Sequence, residues 1–183
     1  MRKEQLLMKL SKITLKLLST NAIMSLVQFV LMLPLLGILE DNWIYQWAIG
    51  LLFVAIFWFI VYVEMSENGL EDTKLDSYYP FRGFIAGLFC SIPGVLLYVL
   101  TLIFPADPNW FNIAMRIWLS QYIKIFNSFE SYMPHLGLIT SLLLPIVSGI
   151  SYMDGPRKRQ KVLNAIRKAD EMKHEKSKVG FKK

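Results

Sequence analysis

The sequence is poor in the residues that enzymes use for chemistry. It has one cysteine, Cys90, and two histidines, His135 and His174. It contains no HExxH, GxSxG or CxxC motif and no glycine-rich phosphate loop. One cysteine excludes an intrachain disulfide. The scarcity of nucleophiles and ligands predicts a protein that is not an enzyme and binds no cofactor or metal.

Basic residues are also scarce, except at the two ends of the chain. Of 20 Lys and Arg residues, five lie in the first 16 positions and eleven from Arg157 onward. The apolar blocks between them carry no Asp, Glu, Lys or Arg near their predicted centres, which weighs against proton relays and ion-coupled transport. Basic residues beside apolar blocks are typical of membrane proteins. We therefore expect anionic lipid headgroups as partners of the basic ends, and no nucleic acid.

The sequence is rich in long hydrophobic runs. Hydrophobic residues make up 54% of the chain, and four apolar blocks are each long enough to cross the ~30 Å hydrocarbon core of a bilayer as a helix. We predict spans over residues 21–39, 43–63, 78–104 and 133–152. Together they form one transmembrane domain, 1–153, followed by a basic tail, 154–183. The basic ends predict a multi-pass cell-membrane protein with both termini in the cytoplasm.

Small residues recur every four positions in the third and fourth spans. Such rows let helix backbones approach closely, which is how helices associate in lipid. We predict that these two spans pack on each other, whereas an outward-facing third-span row would imply another membrane protein or a second copy. Pro145 should kink the fourth span unless a neighbouring hydroxyl occupies the carbonyl it leaves free. The predicted helix-packing residues are Gly83, Gly87, Ser91, Gly137, Ser141 and Gly149.

A polar stripe marks the first span. Asn21, Ser25 and Gln28 fall on one face of a helix, and a glutamine exposed to lipid is costly, so this face should point into the bundle. An interhelical hydrogen bond and a substrate contact are the two interpretations. With Arg82, at the start of the third span, these residues form a possible polar site.

Two-sided helices are predicted outside the spans. Residues 2–18 predict a helix with leucines on one face and lysines around the rest, which is typical of a helix on the membrane surface. Such a helix can also bind a partner. Asp107 as N-cap and Pro108 at the first helical position predict an amphipathic helix over 108–130. We place this helix in the outer interface, with a lid over a cavity or a re-entrant segment as alternatives. A basic helix follows residue 154, and residues 177–183 are predicted to be disordered.

The loop between the second and third spans, residues 64–82, is acidic. It has five Asp and Glu residues against Lys74 and Arg82. Two interpretations stay open: the loop pairs with the basic C-terminal tail, or it binds a cation through its carboxylates.

Part of this region resembles a known group of proteins. The pattern Gly69-x-x-Asp72, then Gly83-Phe84-x-x-Gly87-Leu88 and Ile92-Pro93, is similar to that of small multi-span membrane proteins of Gram-positive bacteria, a group without assigned activity. Arg82 fits the positive residue usual before the glycine, while the loop is acidic rather than mixed. The resemblance implies a bacterial cytoplasmic membrane and no mechanism.

The predicted fold is an all-α bundle of four transmembrane helices, with an amphipathic interfacial helix between spans three and four and basic cytoplasmic ends. We expect a non-catalytic accessory or scaffold protein that acts through helix contacts. The alternative is a small transporter or channel subunit that works as an oligomer, because four spans rarely enclose a pathway alone. A polar cavity reaching Gln28 would favour transport.

Overall fold

The computed structural model describes residues 3–38, 42–105 and 108–180, and within these ranges it is helical and contains no strand. Two 3₁₀ turns, Ser120–Tyr122 and Glu130–Tyr132, accompany the α-helices. Asp107, the predicted N-cap, lies outside the described residues. The helices are α1 (Lys3–Ile38), α2 (Trp43–Lys74), α3 (Arg82–Ile103), α4 (Trp110–Trp118), α5 (Ile123–Ser128), α6 (His135–Met153) and α7 (Gly155–Gly180).

Four stretches of helix are long and apolar enough to cross a membrane: Leu7–Met32, Trp43–Lys74, Arg82–Ile103 and His135–Met172. This is the pattern of a multi-pass membrane protein, and it confirms the predicted all-helical bundle with four candidate spans. The fourth stretch joins α6 to α7 through Asp154, whose backbone is itself helical (φ −76°, ψ −16°). The basic tail therefore continues α6 as helix to Gly180, including residues 177–180 that the sequence predicted to be disordered.

The N-terminal region differs from the prediction. Instead of a surface helix over 2–18 and a separate span, α1 is one continuous helix from Lys3 to Ile38. Its early apolar residues Ile13 and Leu17 are buried in the core of the bundle. Their burial accounts for the difference, because an apolar face that packs on other helices does not need a membrane surface to cover it.

Helix α2 also continues beyond its predicted end. It runs to Lys74 and takes up the first half of the acidic segment, so that Glu64 lies inside a helix. The chain then turns at Asp76, whose φ of 49° is the left-handed conformation that Asp tolerates better than most residues. Helix α3 starts six residues later at Arg82.

Helices α3 and α6 make the most extensive contact in the bundle, which we call the seam. At Gly87 a Cβ atom would stand 2.6 Å from the Pro145 Cα, and at Gly83 it would stand 2.7 Å from the Ser148 carbonyl oxygen. Real Cβ atoms do not approach backbone this closely. The seam therefore depends on the absence of side chains at these two glycines.

Two serine hydroxyls tie the seam together. Ser91 of α3 donates to the carbonyl of Ser141 (2.7 Å), and Ser148 of α6 donates to the carbonyl of Gly83 (3.0 Å). The Ser141 carbonyl is the one left without a helical N–H by Pro145, four residues later. Because Ser91 supplies the missing donor, α6 runs unbroken through the proline from His135 to Met153.

The segment between α3 and α6, residues 109–134, enters the bundle and returns, and we call it the re-entrant segment. Asn109 begins it, donating to the Thr101 carbonyl near the end of α3 (3.1 Å) and capping α4 by accepting the Asn112 N–H (3.0 Å). Trp118 then lies beside Gly94, about 10 Å further along α3 by helical rise.

The return path follows α2. The ring centroid of Tyr122 lies 6.4 Å from that of Phe57 and 6.4 Å from that of Trp58. Lys124 packs on Gly50 and donates a hydrogen bond to Gln46 (2.6 Å). The turn around 118–122 therefore lies near mid-height of the bundle. The sequence predicted one interfacial helix over 108–130. The structure instead has four short helical pieces, because the polar residues at the turn form hydrogen bonds with buried partners.

Candidate functional site

A buried ionic group closes one end of the bundle, and we call it the ion cluster. The Asp72 carboxylate accepts hydrogen bonds from Arg82, from the Tyr152 hydroxyl (2.5 Å), from the Ser77 hydroxyl (3.2 Å) and from Lys9 (3.4 Å). Asp72, Arg82 and Tyr152 are all buried. One carboxylate thus ties together α1, α2, α3 and α6.

The ion cluster is suited to holding helices in place. An aspartate that already accepts from four donors has little capacity left to take a proton from a substrate. Arg82 leaves its second terminal nitrogen, Nη2, buried without a hydrogen-bond partner among the described residues. Tyr78 stacks on Tyr152 (ring centroids 5.4 Å apart, planes 6° apart), and burial raises the pKa of Tyr78. The cluster is therefore tightly packed as well as charged.

A second carboxylate lies inside α2. Glu64 is 8% exposed, and neither of its carboxylate oxygens has a hydrogen-bond partner in the described part of the chain. Its charge partner is Lys16 of α1, with Nζ 3.9 Å from Oε1. Glu64 follows the predicted second span, residues 43–63, and lies in the later part of α2, so it does not bear on the expectation that the spans carry no charge near their centres.

The acidic segment pairs mainly with the lysines of α1. Lys9 reaches Asp72 and Lys16 reaches Glu64. The C-terminal helix also approaches this segment, but through polar groups: Lys158 donates to the Ser66 hydroxyl (2.5 Å) and Arg159 donates to the Thr73 carbonyl. No three His, Cys, Asp or Glu side chains converge as metal ligands do among the residues that were described.

The re-entrant segment and α1 meet through a second polar group near mid-height. Ser25 donates to the Trp118 carbonyl (2.6 Å) and Ser120 donates back to the Ser25 carbonyl (2.5 Å). Gln121 donates to Asn21 (3.4 Å) and accepts from Ser25 (3.1 Å). All its members are buried. The group, which we call the amide cluster, consists of Asn21, Ser25, Ser120 and Gln121.

A small cavity adjoins the amide cluster. Its volume is about 10 Å³, and Asn21, Gln121, Ser91 and Tyr122 are among its lining residues. That volume is close to the space of one water molecule. Gln28 is fully buried and donates to the Phe53 carbonyl (3.0 Å). This cavity has room for a water molecule and none for a larger solute.

Two of the four residues in the predicted polar site come together, since Asn21 and Ser25 both bond to Gln121 in the amide cluster. Gln28 is also buried in the bundle but bonds to the Phe53 carbonyl of α2. Arg82 does not join them, because it starts α3 and belongs to the ion cluster. Arg82 lies nine residues before Ser91, which lines the cavity beside the amide cluster, and nine residues span about 13 Å of helix.

Sequence reasoning missed the partners of these residues. Ser120 and Gln121 lie in the middle of a two-sided segment, where polar residues that face water and polar residues that face a polar core look alike. The signal for Asp72 was its place in the Gly69-x-x-Asp72 pattern. In the structure Gly69 packs on the backbone of Tyr152 and Gly155, which brings Asp72 to the end of the seam.

The six predicted helix-packing residues occupy two contacts. Five of them line the seam: Gly83, Gly87, Ser91, Ser141 and Gly149, which faces Phe84 of α3. Gly137 instead faces Met115 of the re-entrant segment: a Cβ atom there would stand 2.6 Å from the Met115 sulfur. The small-residue rows are thus used within one chain.

The fold and the two clusters define an all-helical bundle with four candidate membrane-spanning helices and a re-entrant segment. Comparison of the chain with protein-family models, with curated proteins and with solved structures finds no match.

Proposed function

We propose that this chain is a non-catalytic accessory or scaffold protein of a bacterial cell membrane, with both termini in the cytoplasm, and that α7 is the helix that binds its partner. The basic residues at both ends support this orientation. The resemblance around Gly69–Pro93 to small membrane proteins of Gram-positive bacteria supports the bacterial membrane.

The exposed face of α7 is the observation that carries the proposal. Gly155 packs on Gly69, and Arg159 reaches Thr73, one residue before α2 ends. The same face of α7 continues as Val162 and Ile166, each 53% exposed. An exposed apolar row beyond α6, on which no described residue packs, is typical of an interaction surface.

Charge supports a protein partner that is acidic. Between residues 157 and 172, α7 carries six Lys and Arg residues against two acidic ones. A second copy of α7 would bring like charges together, whereas an acidic surface would complement them. The small-residue rows cannot supply this contact, because they are used inside the bundle.

Photo-crosslinking in native membranes tests the proposal. A photo-reactive residue at Ile166 should give a discrete heavier adduct with another protein, which mass spectrometry then identifies. The same residue at Gln160, exposed on the opposite face of α7, is the control and should give far less of that adduct. Self-adducts or intrachain adducts alone at Ile166 would overturn the proposal.

A transporter or channel subunit that works as an oligomer is the second candidate. The re-entrant segment favours it, since broken helices at mid-height often line pathways in transporters. The 10 Å³ cavity weighs against it. In proteoliposomes we expect no flux of Na⁺, K⁺ or glycerol above that of empty liposomes. A flux that Gln121→Leu changes would favour transport instead.

A further inference from the structure

We infer that the surface between α1 and α3 holds an anionic phospholipid, with the headgroup at Lys12 and an acyl chain in the groove below it. This site deepens the proposed function by naming a lipid partner for the N-terminal basic region, and it rests on the placement of the chain in a membrane.

The apolar part of the site is an open groove of about 850 Å³. Leu7, Leu15 and Leu18 of α1 and Phe89 of α3 are among its lining residues. Phe89 also lines a second groove of about 610 Å³ that runs along α3 past Ile92. The two grooves share this ring, so that together they form a continuous apolar surface along the bundle.

The charged part of the site lies midway along the α1 side of the first groove, at Lys12. Lys12 lines both the apolar groove and a neighbouring cleft of about 310 Å³, whose other charged lining residues are Lys9, Lys16, Glu71 and Asp72. Lys9 is engaged by Asp72, and Lys16 lies beside Glu64. Lys12 is exposed and pairs with none of the side chains that the structure describes. It is therefore the lysine of this face that is free to bind an anion.

The occupant must combine an anionic group with a long apolar chain. A transmembrane helix of another protein fits poorly, because close helix contact in lipid uses small residues, and this groove is lined by leucine and phenylalanine. The glycine rows that could receive a helix are buried in the seam. A flexible acyl chain packs on branched and aromatic side chains without needing close backbone approach, and a headgroup phosphate complements Lys12.

Native mass spectrometry of the full chain in mild detergent tests the site. The probes are phosphatidylglycerol and phosphatidylcholine with identical acyl chains. We expect the chain to retain more phosphatidylglycerol than phosphatidylcholine. Lys12→Gln should lower phosphatidylglycerol retention by about fivefold, the effect of one lysine near an anionic surface.

Lys74→Gln is the matched control, since it removes the same charge from an exposed position at the end of α2, outside both basic ends, and should leave retention unchanged. Equal retention of the two lipids, or an equal loss in both variants, would overturn the site. Full competition by glycerol phosphate would also overturn it, because the groove would then contribute nothing. None of these results depends on the α7 crosslink, so the lipid site and the scaffold proposal can fail separately.

Discussion

The seam and the amide cluster both hold helices together, but they do so in opposite ways. At the seam, Gly83 and Gly87 bring two backbones into contact by having no side chain. At the amide cluster, Ser25 and Gln121 bridge α1 and the re-entrant segment with polar side chains. The seam depends on the absence of side chains, and the amide cluster depends on polar side chains.

This difference has a consequence for tolerance to substitution. A backbone contact cannot relax around an added methyl group, because neither helix can move without losing the rest of the seam. A hydrogen-bonded amide within apolar surroundings contributes about 0.6 kcal/mol on average, since the groups also find partners in the unfolded state. We therefore expect a substitution in the seam to lower the free energy of unfolding more than a substitution in the amide cluster does.

The largest effect is expected at Asp72, where the ion cluster closes the end of the seam. Asp72→Asn removes the only carboxylate bonded to Arg82 in the described residues and leaves that buried cation uncompensated. Removing one partner of a buried ion pair costs about 3–5 kcal/mol. Thermal unfolding in detergent should show the loss.

The double variant Asp72→Asn/Arg82→Gln sharpens this test. Because it removes both charges, it should recover part of the stability lost in Asp72→Asn. A double variant that is less stable by the sum of the two single losses would contradict the idea that Arg82 is left unpaired.

A smaller loss is expected within the seam itself. Gly87→Ala places a methyl group against the Pro145 backbone, and overpacking of this kind costs about 1–3 kcal/mol. Gly37→Ala is the matched control, since a Cβ atom at Gly37 meets nothing within 4 Å. Chemical unfolding should show a loss for Gly87→Ala and none for Gly37→Ala. Equal behaviour would mean that the seam is not close-packed.

The smallest effect is expected in the amide cluster. Gln121→Leu keeps the volume of the side chain and removes its hydrogen bonds to Asn21 and Ser25. The two lost hydrogen bonds should together cost about 1.2 kcal/mol, at about 0.6 kcal/mol each, measured by the same unfolding assay. If the loss matches that of Gly87→Ala, the contrast between the two contacts does not hold.

Hydrophobic length and small-residue spacing predicted the parts of this fold that depend on local pattern. The spans predicted at 43 and 133 begin as helices at Trp43 and His135, because an apolar run has few other solutions in lipid. The close approach of α3 and α6 follows from glycine spacing, which is also local.

Tertiary pairing is what the pattern could not supply. Gln121 and Asn21 are 100 residues apart in the chain, and nothing in either stretch identifies the other as its partner. Ser120 could equally face water, so its segment was placed at the interface. Likewise, Ile13 and Leu17 look the same on a surface helix as in a core.

The hydroxyl that replaces the missing hydrogen bond at Pro145 also bears on the order of assembly. Ser91 precedes Ser141 by 50 residues, so during synthesis the donor is made before the carbonyl that needs it. Domains are generally built from the N-terminus onward. A newly made α6 therefore meets an α3 whose Ser91 hydroxyl can at once donate the hydrogen bond that Pro145 cannot. Because the proline creates the need for this donor, it favours the packing of α6 on α3.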